Sequence, residues 1–143
     1  MTGICEGRVV IITGAGGGLG REYALAFAAE GASVVVNDIN ALSAETTVDE
    51  IESAGGKALA NTSDITNYDD SLNIVKSAID TFGGLHVVVN NAGVCRDRMF
   101  ASMTEEEWDQ VISVHMKGHF CISSHAVHYW RAQAKEGVQV NAR

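Results

Sequence analysis

Apolar and polar residues come in blocks along this chain, and the blocks change period. Residues 8–14 form a run that is apolar on both faces and stops at glycine. That is the pattern of a central parallel strand covered on two sides. In residues 17–32, Leu19, Tyr23, Ala26 and Phe27 recur at helical spacing and Gly31 stands as a stop, predicting a helix that buries this stripe. A second apolar strand is predicted over 33–38. The second helix covers 40–56, capped by Asn40 or Ser43 and ended by Gly55 and Gly56. A weaker third strand follows over 57–64. The third helix, 67–84, carries Leu72, Val75 and Ile79 on one face, and a fourth buried strand is expected over 85–93. Residues 104–137 read as one or two helices, opened by a capping box of Thr104 with Glu107. Val138 and Val140 then alternate with Gln139 and Asn141, which predicts the opening of a fifth strand. Strands that alternate with helices over short connections imply an α/β domain, a parallel sheet with helices on both faces.

The 143 residues suffice for one domain or for part of a larger one. A net charge of −8 argues against long-range steering of nucleic acid or of an anionic membrane surface. The apolar runs are too short to span a bilayer. The first residues lack the basic start and apolar stretch of a secretory signal. Cys5, Cys95 and Cys121 are widely spaced and odd in number, which fits a reduced, cytoplasmic chain whose thiols act as small hydrophobes.

The chemistry is concentrated where the first strand meets the first helix. Thr13-Gly14-Ala15-Gly16-Gly17-Gly18-Leu19-Gly20 joins them. Glycines there let backbone amides approach a pyrophosphate, and the helix start adds a positive dipole end. The plainer reading is a tight turn for close helix–strand packing. The spacing is T-G-x-x-x-G-x-G rather than the common G-x-G-x-x-G, and Asp38 closes the second strand 18 residues after Gly20, where a ribose-binding acid would stand. No Walker lysine is present. A carboxylate at Asp38 accepts from ribose hydroxyls and repels a 2′-phosphate; at ~4 Å and a dielectric of ~20 the repulsion is about 4 kcal/mol. No Arg or Lys lies within residues 9–20 to offset it, although Arg8 and Arg21 flank the segment. NAD is therefore expected over NADP.

With these residues the chain resembles the short-chain dehydrogenases/reductases. Thr13-Gly14-x-x-x-Gly18-x-Gly20 matches the cofactor motif of that family, and Asn90-Asn91-Ala92-Gly93 matches its N-N-A-G motif. Asp64 matches the acid that usually meets the adenine amine. The match is collinear over residues 5–143. The resemblance implies a Rossmann-type, doubly wound parallel sheet of strand order 3-2-1-4 plus the start of strand 5. It also implies that Gly14, Gly16, Gly17, Gly18, Leu19 and Gly20, with Asp38, Asp64 and Ile65, hold NAD, and that Asn91, Ala92 and Gly93 stand beside its nicotinamide. The segment 96–120 is similar to members that act on acyl thioesters, the β-ketoacyl-carrier-protein reductases and hydroxyacyl-CoA dehydrogenase domains. A small-molecule substrate and a homo-oligomer are implied as well.

Two departures stand out. In the family's V-N-x-x-G pattern the catalytic Asn is replaced by His115, within Val114-His115-Met116-Lys117-Gly118. A neutral imidazole could hold a water or a backbone carbonyl as an amide does; the plainer reading is a satisfied helix histidine. The family's catalytic Ser and Tyr-x-x-x-Lys are also missing. Tyr129 is followed at four residues by Gln133, and Ser123 and Ser124 precede the fifth strand. The expectation is a dinucleotide-binding domain over 1–143, cut off before the catalytic half of a longer enzyme. The alternative is a binding module or remnant without chemistry. His115 and His119 stand four apart, but H-M-K-G-H lacks the Glu of H-E-x-x-H, so no metal is expected.

Overall fold

The computed structural model describes residues 3–143. Four parallel strands, β1 (Val9–Thr13), β2 (Ser33–Asn37), β3 (Lys57–Asn61) and β4 (Val87–Val89), lie in the order β3-β2-β1-β4. In register, Ile11 stands beside Val35 on one side and Val88 on the other. The helices are α1 (Gly18–Ala29), α2 (Ala41–Ser53), α3 (Tyr68–Phe82), α4 (Glu105–Ile112) and α5 (Gly118–Lys135). A π-helical turn, Ser113–Lys117, joins the last two. Among the described residues, no helix is long and apolar enough to cross a membrane.

Alternation along β1 builds two cores. Val9 and Ile11 pack with Ile74, Val75 and Ala78 of α3 and Ile122 and Ala126 of α5. Val10 and Ile12 pack with Ala24 of α1 and Ala44 and Ile51 of α2. Every residue of β1 is buried, as a strand with helices over both faces must be. Asn40 caps α2, its side chain accepting from Ser43 N at 3.0 Å, and Gly55, at φ +86°, takes the left-handed position after it. Thr104 and Glu107 form the expected capping box of α4.

Four expectations need correction. The buried face of α1 is Gly20 and Ala24; Leu19 and Tyr23 are exposed, as is Ala26, and Phe27 is only partly buried. The helix runs so close to the sheet that a Cβ on Gly20 would overlap the Gly14 carbonyl oxygen and Asn91 Nδ2, so the smallest side chains face inward. β4 is short, and Val87, Val88 and Val89 are half-buried rather than buried, because only one of its edges is fully paired. Residues 138–142 form no strand. Among the described residues, only Arg143 joins β4 on this edge, donating to His86 O at 2.9 Å and accepting from Val88 N at 3.1 Å. Of the cysteines, Cys121 is buried and Cys5 half-buried, but Cys95 is exposed and so is not a packing thiol. Burial pushes the Cys121 thiol up.

At the opposite end of the sheet from these strands' C-termini, His86 closes the base of β1 and β4. Its Nδ1 accepts from Val9 N at 2.9 Å. Burial first, and the nearby Arg8 charge second, hold His86 below its ordinary value of 6.5 and so keep the ring neutral.

Candidate functional site

The C-terminal ends of β1, β2 and β4 open onto a cleft of about 470 Å³. Here the connection from β1 runs to one side of the sheet and that from its neighbour β4 to the other, and the crevice between them is where open α/β sheets take ligands. Gly14 and Gly17 line it, with Asp38, Asp64 and Ile65 on one wall and Asn91, Ala92 and Gly93 on another. Gly16, Gly18, Leu19 and Gly20 do not line it. Gly16 carries the Asp38 contact described below, Gly18 opens α1, Leu19 is 67% exposed, and Gly20 is packed against the turn.

Thr13 ties the first turn to the loop after β4. Its Oγ1 accepts from Asn91 N and Ala92 N, each at 3.0 Å. Asn91 answers through Nδ2, which donates to Thr13 O at 3.0 Å and to Gly14 O at 3.3 Å. Gly14 has φ +63°, and a Cβ there would lie 2.9 Å from Ala92 Cα, so the two loops touch backbone to backbone. The motif places Thr13 at the head of the turn, but a buried strand-end threonine gives no sign by itself that its hydroxyl joins two loops.

The start of α1 is open to a ligand. Gly17 is its N-cap and makes no side-chain cap bond. A Cβ on Gly17 or Gly18 would meet nothing within 4 Å. The amides of this first turn lack partners within the helix, and helix starts of this kind can take anions. Asp38 is fixed by two backbone donors: Oδ2 accepts from Gly16 N and Oδ1 from Asn40 N, both at 3.0 Å. Asp64 Oδ1 accepts from the amide and hydroxyl of Thr66, each at 2.8 Å. Asn37, Ile39, Thr66 and Val94 lay outside the sequence motifs, and with Val114, the first residue of the run that aligns with V-N-x-x-G, they complete the lining.

His115 stands behind the wall that ends in Gly93 and Val94. The π-helical turn carries it there, and its Nε2 lies 3.1 Å from Val94 N and 2.8 Å from Val94 O. One ring nitrogen serves one of these at a time, accepting from the amide or donating to the carbonyl. A Cβ on Gly93 would stand 2.7 Å from His115 Cε1. Farther along the same helix face, Asn90 Nδ2 donates to Ser123 Oγ at 3.0 Å, while Asn90 Oδ1 and His119 Nε2 are buried without partners. Among the described residues, no three His, Cys, Asp or Glu side chains are grouped to hold a metal ion.

A family model described as short chain dehydrogenase matches residues 8–142. A hydroxyacyl-CoA dehydrogenase of Mycobacterium tuberculosis is 49% identical over 92% of this chain and 43% of its own length. The peroxisomal multifunctional enzyme type 2 of Mus musculus is 45% identical over 90% of this chain and 18% of its own. A crystal structure of a short chain dehydrogenase from Mycobacterium avium superposes with a TM-score of 0.96 at 53% identity, covering 99% of this chain and 54% of that one. The chain thus spans about half, or less, of the length of the relatives it matches.

Proposed function

This chain belongs to the short-chain dehydrogenase family, and on that premise we propose that it is the cofactor-binding portion of an NAD-dependent oxidoreductase acting on a secondary alcohol or ketone. The observation that carries the reading is one cleft shared by the uncapped start of α1, the Asp38 carboxylate and the Asn91–Gly93 wall. The amides at Gly17 to Leu19 would hold the pyrophosphate, Asp38 the adenosine ribose hydroxyls, Asp64 and Ile65 the adenine end, and Asn91 to Val94 the nicotinamide side. Bound NAD supplies the hydride acceptor or donor. Asp38 favours NAD over NADP, because a 2′-phosphate would meet a carboxylate whose position two backbone amides fix.

His115 takes the place of the family Asn and, through Val94, sets the wall on the nicotinamide side. None of the three tyrosines has a lysine four residues on, so proton transfer falls to residues outside these 143. That absence is also what favours the second reading, a module that binds a dinucleotide and does no chemistry. The name of the Mycobacterium tuberculosis relative supports a hydroxyacyl-CoA thioester as substrate, and in this proposal the resemblance of residues 96–120 favours position 3 for the reacting oxygen, as alcohol or ketone. The free thiols support a reducing compartment, the cytoplasm in this proposal, although the mouse relative is named peroxisomal. Exposed Met116, Phe120 and Val127 near and along α5 support a homo-oligomer.

The test is NAD-linked turnover by the full-length protein carrying these residues, with 3-hydroxyacyl-CoA thioesters against simple secondary alcohols. Reduction of NAD with the thioesters is expected. Tight NADH binding without turnover on any of them would favour the binding module.

A further inference from the structure

The two cations that flank the glycine-rich turn have different fates. Arg8 stands before β1, at the far end of the sheet from the cleft, and donates to Asn141 O at 3.2 Å. Arg21 stands at the cleft end. Its amide donates to the carbonyl of Gly17, which lines the cleft, at 3.1 Å. One helical turn is ~5.4 Å, and helix side chains lean toward the N-terminus. A free Arg21 side chain would therefore reach the mouth of the cleft beside Gly17.

Arg21 is not free. Its Nε donates to Glu50 Oε1 at 3.3 Å and its Nη2 to Glu50 Oε2, a two-pronged pair, while Nη1 meets the exposed Glu22. The Glu50 hydrogen bond, ahead of the charges, holds the guanidinium above its ordinary range. Glu50 lies on α2, the helix that also flanks the Asp38 side of the cleft. Ser43, on its first turn, is so near the glycine-rich turn that a Cβ on Gly16 would lie 2.7 Å from Ser43 Cβ, and Gly16 itself donates to Asp38. The clamp on Arg21 and the carboxylate at the ribose site thus belong to one corner of the molecule, where α1 meets α2.

We infer that Glu50 is a specificity-determining residue: it keeps Arg21 away from the ribose 2′ edge, so that a 2′-phosphate is refused by two devices, the Asp38 carboxylate and the captured guanidinium. The inference rests on the reading of the cleft as an NAD site. A guanidinium beside a phosphate forms charge-assisted, bidentate hydrogen bonds, so releasing it matters only once the repelling carboxylate is gone.

Titration of NADH and NADPH by nicotinamide fluorescence, on the full-length protein, tests it through Asp38→Ala, Asp38→Ala with Glu50→Ala, and that pair with Arg21→Ala. Glu50→Ala in the Asp38→Ala background should tighten NADPH binding about tenfold, the yield of one charge-assisted contact after desolvation. Adding Arg21→Ala should erase the gain, with NADH affinity in both multiple variants staying at that of the Asp38→Ala protein. If Glu50→Ala lowers the melting temperature enough to prevent titration, the near-isosteric Glu50→Gln is read by the same criteria. NADPH affinity that does not change on releasing Arg21, or a gain that survives Arg21→Ala, overturns the inference alone. A wild-type protein that binds NADPH more tightly than NADH contradicts instead the reading on which it rests.

Discussion

Two glycines in the same turn are predicted to fail in opposite ways when given a methyl group. In Gly20→Ala the new Cβ would overlap the Gly14 carbonyl oxygen and Asn91 Nδ2, both held by the clamp between the turn and the loop after β4. The obstacle is backbone, so α1 must move away from the sheet. Overpacking of this kind costs about 1–3 kcal/mol. Loss of the two Asn91 hydrogen bonds adds about 0.5–1.5 kcal/mol each. Alanine's better helix propensity returns about 1 kcal/mol. The net is a destabilisation of about 3 kcal/mol. In Gly17→Ala the new Cβ meets nothing within 4 Å and φ is −165°, ordinary extended backbone. The expected stability loss is at most about 1 kcal/mol, from a poorer N-cap. That methyl would instead fill the space through which a pyrophosphate approaches the helix start, so NADH binding should weaken at least about tenfold, ~1.4 kcal/mol. Urea denaturation and NADH titration of both variants make the comparison. A Gly20→Ala protein within about 0.5 kcal/mol of wild type, the range of a neutral surface change, would refute the packing argument. A Gly17→Ala protein that binds NADH normally would refute the assignment of the open glycine to the ligand.

Three further outcomes are expected. As pH falls below 6.5 the unfolded chain takes up a proton at His86 more readily than the folded chain, where burial and the nearby Arg8 charge hold its value lower and the ring is the acceptor for Val9 N–H; this contribution to stability is intact above 6.5 and lost as pH falls. Denaturation midpoints from pH 8 downward should therefore fall more steeply for wild type than for His86→Asn, whose Oδ1 can stand in for Nδ1, and parallel curves would remove His86 from the account. A polypeptide of residues 1–143 should show no alcohol or ketone turnover, since lack of the acid/base alone typically costs 10²–10⁴-fold; robust NAD-linked activity from a mass-verified sample would overturn that view. The same polypeptide should self-associate through β4, whose outer edge is met, among the described residues, only by Arg143 and whose valines are half-buried, each forfeiting part of the ~1.5–3 kcal/mol of full burial. Sedimentation showing a monomer, with Val87 to Val89 amides protected in hydrogen exchange, would contradict it.

Element types and their sequence were legible because each central strand is a run apolar on both faces, α1 to α3 are punctuated by Asn or Gly, and α4 is opened by the capping box at Thr104. The order β3-β2-β1-β4 was legible only through the family resemblance, since periodicity does not say which strands are neighbours. The inward face of α1 was misread because a hydrophobic stripe ranks residues by greasiness, whereas close approach to the sheet selects by size, so Gly20 and Ala24 displaced Leu19 and Tyr23. The cleft's acid, Asp38, and the loop Asn91 to Gly93 were visible as motifs. Thr13, which joins them, was visible as the head of the T-G-x-x-x-G-x-G motif, but its role, a backbone clamp made by one hydroxyl, was not. His115 drew notice as a departure from a pattern, but its distance to Val94 depends on the π-helical turn, and no local signal in Ser113–Lys117 announces that turn. His86 escaped notice altogether: a lone histidine before a valine run has no periodic or motif signature.

The central claim is that this cleft takes NAD(H) and prefers it to NADP(H). Titration of the purified full-length protein with NADH and, separately, NADPH, followed by nicotinamide fluorescence and repeated with Asp38→Ala, tests it most directly. The account predicts saturable NADH binding at least about tenfold tighter than NADPH, even if only half of the Coulomb repulsion at Asp38 is felt, with the ratio narrowed in Asp38→Ala. Equal or tighter binding of NADPH by the wild-type protein, or no saturable binding of either, would contradict it.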